Sequence, residues 1–198
     1  MKLGCILMAA GSGSRFGVNK LDAMFEGKTL AERALCVIPE GEFYKVAVVT
    51  QYPRVIELAK SRGFLAIEND RPEDGISRTI RLGMDALKDA DALMFLVADQ
   101  PKLRRESVEA EIAYFRANPD NLVAMGHGTR RGNPAIFPKR FFEDLRGLYE
   151  DSGGSEVIRN HSEDLLLFEL EDELELYDVD SVAELTRLKE LTKEQNGA

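Results

Sequence analysis

Leu3-Gly4-Cys5-Ile6-Leu7-Met8-Ala9-Ala10-Gly11-Ser12-Gly13-Ser14-Arg15-Phe16-Gly17-Val18-Asn19-Lys20 opens the chain and decides its fold class. Leu3–Met8 is almost unbroken apolar sequence, which predicts a strand covered on both faces, the kind found in parallel sheets. A secretory leader would need a longer apolar stretch without a glycine inside it. The apolar run instead breaks into a Gly/Ser loop carrying Arg15 and Lys20. Such a loop lies at a strand's carboxyl end, where open α/β sheets bind ligands. Its glycines permit close backbone approach, and successive N–H groups with Ser hydroxyls form an anion nest. Two cations beside that nest predict a polyphosphate as occupant.

Two familiar phosphate loops fail on spacing. The dinucleotide fingerprint G-x-G-x-x-G would need its third glycine one place before Gly17. A Walker A loop ending at Gly27-Lys28-Thr29 would need glycine where Asp22 stands.

Outward from this loop, short apolar runs alternate with helical patterns, the signature of a parallel α/β sheet. Strands are expected at Leu3–Met8, Val46–Thr50, Phe64–Ile67, Ala92–Ala98, Leu122–Met125 and Asn133–Phe137, with one or two more within Leu165–Leu176. Thr29-Leu30-Ala31-Glu32 is a capping box opening a helix to Val37. Pro53 suits the first position of a helix over Arg54–Ser61. Further helices are expected at Ile76–Lys88, Arg105–Ala117, Pro138–Tyr149, Ser155–His161 and Ser181–Lys193. No repeat or Pro/Gly/Ser-rich linker divides the chain, which predicts one domain over residues 1–198.

The 198 residues are 44% hydrophobic and 31% charged, enough apolar sequence for a real core, and they exclude bulk disorder. A net charge of −9 disfavours a general nucleic-acid binder, which needs excess Lys and Arg, but not a small anionic substrate. Cys5 and Cys36 form no disulfide framework and no metal spacing. No apolar segment approaches membrane-spanning length. The expected setting is the reducing cytoplasm, with no nucleic-acid or membrane partner.

Leu96-Val97-Ala98-Asp99-Gln100-Pro101 sets an aspartate directly after an apolar strand. A carboxylate there reaches the crevice that the glycine loop borders, and triphosphates carry Mg²⁺, which takes one or two carboxylates as ligands. Asp99 is therefore the expected metal ligand, beyond its alternative as a turn residue.

Ala9, Ala10, Gly11, Arg15, Gly17 and Lys20 fit L-x-A-A-G-x-S-x-R-x-G-x-x-K, with Gly13 at its serine position and Ser14 one place on, and the chain thereby resembles the nucleotidyltransferases with a Rossmann-like fold. It is most similar to the molybdenum cofactor cytidylyltransferases, which include accessory proteins of molybdenum hydroxylases. Ala9-Ala10-Gly11 resembles their A-A-G loop, and Asp99-Gln100-Pro101 their D-Q-P, where the guanylyltransferase relatives read A-G-G and D-M-P. Gly75-Ile76-Ser77-Arg78-Thr79 resembles the stretch that approaches the nucleotide. Arg131-Gly132-Asn133-Pro134 resembles the R-G-x-P segment facing the pterin. Tyr177-Asp178-Val179-Asp180 resembles the segment whose second acid shares the metal. Two departures stand out: Ser181-Val182-Ala183-Glu184 replaces T-P-E-D, and Glu150-Asp151-Ser152-Gly153-Gly154-Ser155 lacks the cation that ends G-D-x-G-A-R.

The resemblance implies a three-layer α/β fold with a mostly parallel sheet. It implies Mg²⁺-dependent transfer of CMP from CTP to Mo-molybdopterin, with a molybdenum hydroxylase as recipient of the product. Arg15, Lys20 and Asp99 would be catalytic. Ala9, Ala10, Gly11, Ser12, Gly13, Ser14, Arg15, Lys20, Gly75, Ser77 and Thr79 would bind nucleotide. Asp99 and Asp180 would hold the metal, and Gln100, Arg131, Asn133 and Pro134 the acceptor. Alternatives stay open at this point: another base or phosphorylated acceptor, or a non-catalytic molybdopterin-binding chaperone. Asp180 or Ser181 could simply cap the last helix, and Ser77 and Thr79 could only decorate the third one.

Overall fold

The computed structural model describes residues 1–11, 13, 16 and 19–196. In chain order the strands are β1 (Leu3–Ala9), β2 (Met24–Phe25), β3 (Lys28–Thr29), β4 (Lys45–Thr50), β5 (Leu65–Glu68), β6 (Ala92–Val97), β7 (Leu122–His127), β8 (Arg130–Pro138) and β9 (Leu165–Glu169). The α-helices are α1 (Leu30–Cys36), α2 (Pro53–Ser61), α3 (Ile76–Ala86), α4 (Arg105–Ala117), α5 (Phe142–Gly147), α6 (Gly154–Asn160) and α7 (Val182–Asn196). Seven strands form one sheet in the order β5-β4-β1-β6-β8-β7-β9, while β2 and β3 make a separate short hairpin.

Period-2 alternation splits the strand residues between two helical layers. Leu3, Cys5 and Leu7 of β1, Val46 and Val48 of β4, and Ala92, Met94 and Leu96 of β6 face one layer, built on α1, α2, α4 and α7. Ile6, Ala47, Val49, Leu93 and Phe95 face the other, built on α3, α5 and α6. Burial on both sides explains why β1 and β6 read as continuous apolar runs. The result is a three-layer α/β sandwich with a mostly parallel sheet, as expected from the sequence.

Two features of topology aim the sheet at a ligand. β1 lies between β4 and β6, parallel to both, with Ala9 opposite Thr50 and Met8 opposite Val97. The segments leaving β1 and β6 therefore emerge side by side. β8 runs antiparallel to β6, pairing Phe95 with Ala135. Its first residues, Arg130–Gly132, consequently reach beyond the end of β6 on that same edge.

Local signals mostly set the helices. Thr29 caps α1 through both bonds of the capping box, with its Oγ1 accepting from the Glu32 N–H at 3.2 Å. Pro53 starts α2. Differences are an unexpected short hairpin, β2–β3, and shifts at ends and turns. Pro138–Tyr149 is a 3₁₀ turn followed by the short α5 rather than one helix. Leu165–Leu176 holds one strand, β9, and a 3₁₀ turn over Glu173–Leu176.

That acidic turn is less solvated than its composition suggests, because Glu175 is fully buried. Its carboxylate accepts the Arg104 backbone N–H at 2.9 Å, the Arg104 Nε–H at 2.8 Å and the Ser107 hydroxyl at 3.0 Å. The carboxylate thus caps α4 and pins the turn that leads into Tyr177–Ser181.

Glu111 of α4 is the opposite case. It is fully buried, and neither carboxylate oxygen has a hydrogen-bond partner. Desolvation pushes its carboxyl well above the usual range. A carboxyl raised in the folded state favours folding below the unfolded pKa near 4.5 and costs increasing stability as pH rises towards its folded pKa. Glu111→Met should therefore stabilise the protein by about 1–3 kcal/mol at neutral pH. Urea melts at pH 5 and pH 8 should show the gain growing with pH. An equal or smaller gain at pH 8 would contradict the burial argument.

Candidate active site

The turn after β1 is held by its neighbour in the sheet. Thr50 Oγ1 donates to the Ala9 carbonyl at 2.8 Å, Gln51 Nε2 to that of Ala10 at 2.7 Å, and Tyr52 Oη to that of Gly11 at 2.8 Å. Three consecutive donors at the end of β4 thus fix three consecutive carbonyls. Further on, Asn19 caps a 3₁₀ turn over Lys20–Asp22 by accepting from the Leu21 N–H. That turn sets the Lys20 side chain beside the glycine turn, where a Cβ on Gly13 would meet its Cγ at 3.5 Å.

Lys20 meets two aspartates from distant parts of the chain. Its Nζ donates to Asp99 Oδ2 at 2.7 Å and to Asp180 Oδ1 at 2.8 Å. Burial alone would lower the ammonium pKa, but the two carboxylates more than offset this and raise it. Backbone pairing brings the aspartates together, since the Val179 N–H donates to the Asp99 carbonyl at 2.9 Å. Gln100 adds a second tie, donating from Nε2 to Asp178 Oδ1 at 2.9 Å. Burial, and then the neighbouring Asp99, pushes the Asp178 carboxyl up to about 6.

Capping of the last helix falls to Ser181 rather than to the Asp180 side chain. Ser181 Oγ accepts the Glu184 N–H at 3.2 Å, while Glu184 reaches back to the Asp180 N–H at 2.8 Å and to the Ser181 hydroxyl at 3.0 Å. The S-x-x-E box does the work expected of T-P-E-D and leaves the Asp180 carboxylate facing Lys20.

A cleft of about 450 Å³ opens over these groups. Ala9, Ala10, Gly11, Gly13, Lys20, Gly75, Thr79, Asp99 and Asp180 all line it. Gly75 starts α3 at φ 84°, and a Cβ there would lie 2.3 Å from the Glu150 carbonyl. Only glycine allows the 150–151 segment to pack against α3 and bring Asp151 to the cleft wall. Asp151 was not among the expected residues, although it stands in the segment resembling G-D-x-G-A-R.

Not every expected residue lines the cleft. Ser77 is fully buried, its hydroxyl without a hydrogen-bond partner and away from the cleft lining. Thr79 does line the cleft, and its Oγ1 accepts from Asn69 Nδ2 at 3.1 Å. Gln100 is buried beside Asp178, with Oε1 unpartnered. Arg131, Asn133 and Pro134 stand on β8, outside the cleft lining, with a cis Asn133–Pro134 peptide. Burial, and then the nearby Arg159, lowers the Arg131 guanidinium pKa. Ser12, Ser14 and Arg15 lie outside the described residues.

No helix among the described residues is long and apolar enough to cross a membrane.

Comparison with known proteins gives the family and the fold. The family described as "MobA-like NTP transferase domain" matches residues 5–165. The chain is 29% identical over 150 residues to a phosphoenolpyruvate guanylyltransferase of Sphaerobacter thermophilus, covering 72% of this chain and 68% of that one. A Mycobacterium tuberculosis H37Rv protein solved in complex with manganese superposes with a TM-score of 0.78 at 15% identity, covering 96% of this chain and 99% of that one. Molybdopterin-guanine dinucleotide biosynthesis protein A of Archaeoglobus fulgidus superposes with a TM-score of 0.69 at 16% identity, over 96% and 99% of the two chains. With the family match running from β1 to the start of β9, the chain belongs to the MobA-like NTP transferases and is a nucleotidyltransferase.

Proposed function

We propose that the protein transfers CMP from CTP to the terminal phosphate of Mo-molybdopterin, releasing pyrophosphate and forming a cytosine dinucleotide cofactor for a molybdenum hydroxylase. The convergence of Lys20, Asp99 and Asp180 beside the glycine turn carries this reading. A phosphate nucleophile is already anionic, so the site needs alignment and charge neutralisation rather than a strong base. The turn at residues 11–14 would hold the β- and γ-phosphates, with Arg15 and Lys20 offsetting charge on the departing pyrophosphate. Gly75 and Thr79 would border the nucleoside. Gln100, Arg131, Asn133 and Pro134 would meet the acceptor at the edge where β8 begins.

The donor set suits a hard divalent cation, because two carboxylates already converge on one cationic group. Asp99 and Asp180 would hold Mg²⁺, whose chemistry is to polarise the α-phosphate. Cytosine preference rests on the A-A-G and D-Q-P segments.

A second reading has its own support: transfer of GMP to a phosphorylated carboxylic acid, the activity named for the 29% identical relative. Pyrophosphate release measured over CTP, GTP, ATP and UTP, each with molybdopterin and with phosphoenolpyruvate, separates the two. Release restricted to CTP with molybdopterin is expected. Release with GTP and phosphoenolpyruvate alone would replace the first reading with the second.

A further inference from the structure

The nucleotide reading gives Lys20 a task with substrate bound, yet here its ammonium occupies the point on which both aspartates converge. The Nζ lies 2.7 Å from Asp99 and 2.8 Å from Asp180, and the lysine side chain is only 11% exposed. A divalent ion takes carboxylate oxygens at about 2.1 Å. Bound to either aspartate, it would stand within a few ångström of this ammonium, in a partly buried site where like charges repel strongly. One cation excludes the other.

We propose that Lys20 is a resident counterion that keeps the divalent ion out of the empty enzyme, so that metal and triphosphate enter together. The inference rests on the nucleotide reading of the cleft and adds an order of assembly to it. The chain supplies the exchange. A Cβ built on Gly13 would meet the Lys20 Cγ at 3.5 Å, so the lysine stem runs alongside the glycine turn. Rotation about that stem carries the ammonium from the aspartates towards the phosphates. The triphosphate draws off the lysine, and the carboxylates left behind become a divalent-ion site.

The coupling is reciprocal, since whatever the nucleotide contributes to metal affinity the metal returns to nucleotide affinity. Water-proton relaxation with Mn²⁺ tests it on the full chain, because this signal separates protein-bound manganese from free manganese–nucleotide. Without nucleotide, Lys20→Met should bind Mn²⁺ about 10–100-fold more tightly than wild type, within the usual range of coupling between sites. Lys20→Arg, which keeps the charge, should stay as weak as wild type. A non-hydrolysable CTP analogue should raise Mn²⁺ affinity strongly in wild type and little in Lys20→Met. Should Lys20→Met fail to fold, Lys20→Gln replaces it in the same titration.

Bare Mn²⁺ binding to wild type as tightly as to the neutral variants would overturn the counterion role, whatever nucleotide does. If the neutral variants gain Mn²⁺ affinity but the analogue binds no form of the protein, coupled entry falls together with the nucleotide reading. The two failures are thus distinct.

Discussion

Asp99→Ala lowers nucleotidyl transfer by about 10²–10³-fold, the typical cost of removing one charged group from a preorganised site, while leaving the fold in place. The fold survives because Asp99 contributes its backbone to the structure and its side chain to the cleft. Its carbonyl accepts from Val179 N–H, and that bond does not need the carboxylate. Its carboxylate is 22% exposed and directed at Lys20. Removing it takes away one of two proposed metal oxygens and leaves the lysine drawn to Asp180 alone. The loss should appear mainly in turnover, because the glycine turn that would grip the triphosphate is untouched. Steady-state pyrophosphate release, with circular dichroism as a fold check, measures it. Turnover within a few-fold of wild type would remove Asp99 from the chemistry.

Gly75→Ala carries the largest structural effect. The glycine combines a positive φ of 84° with a Cβ position 2.3 Å from the Glu150 carbonyl carbon and oxygen. With ψ at −177° this is an extended, positive-φ conformation found essentially only in glycine and costs another residue about 1–3 kcal/mol, and relieving the overlap means moving the 150–151 backbone away from α3. That movement breaks the Ser77 N–H bond to the Glu150 carbonyl, now 3.0 Å. A total near 3 kcal/mol corresponds to a fall of about 6–12 °C in Tm for a domain of this size. Nucleotide affinity should fall with it, because Gly75 and Asp151 both line the cleft. Gly147→Ala is the control, since nothing lies within 4 Å of its Cβ position. Equal Tm values for the two variants would show that the 150–151 segment yields freely.

These effects trace to features that differ in how plainly they can be read from sequence. The apolar runs of β1 and β6 show both that they are strands and that they are central, because only burial on both faces removes polar alternation. The glycine turn and Asp99 follow, as segments placed at the ends of those strands. Asp180 was reachable only through family resemblance, since no periodicity links it to Asp99; the link is a backbone bond through Val179. The sequence offers Asp180 or Ser181 as the cap of the last helix, and the structure gives it to Ser181. The donors Thr50, Gln51 and Tyr52 become meaningful only once β4 is known to lie beside β1 in register. Ser77 shows the limit from the other side. It sits in a nucleotide-like segment, yet the first turn of α3 directs it inward, where it is fully buried.

Glu175 and Glu111 show why composition misjudges charge. Both are fully buried, the first among donors from Arg104 and Ser107, the second with no donor to either oxygen. Nothing in their immediate sequence separates them, because the partners come from other elements or do not come at all.

The account depends on a triphosphate and its divalent ion meeting at the glycine turn and the paired aspartates. Crystals grown with Mn²⁺ and a non-hydrolysable CTP analogue test this directly through anomalous scattering. The expected map has its strongest peak between Asp99 and Asp180, about 2 Å from a carboxylate oxygen of each, with Lys20 turned towards phosphates bound at residues 11–14. Manganese at the surface cluster of His161, Glu163 and Asp164, with the nucleotide away from that turn, would contradict it.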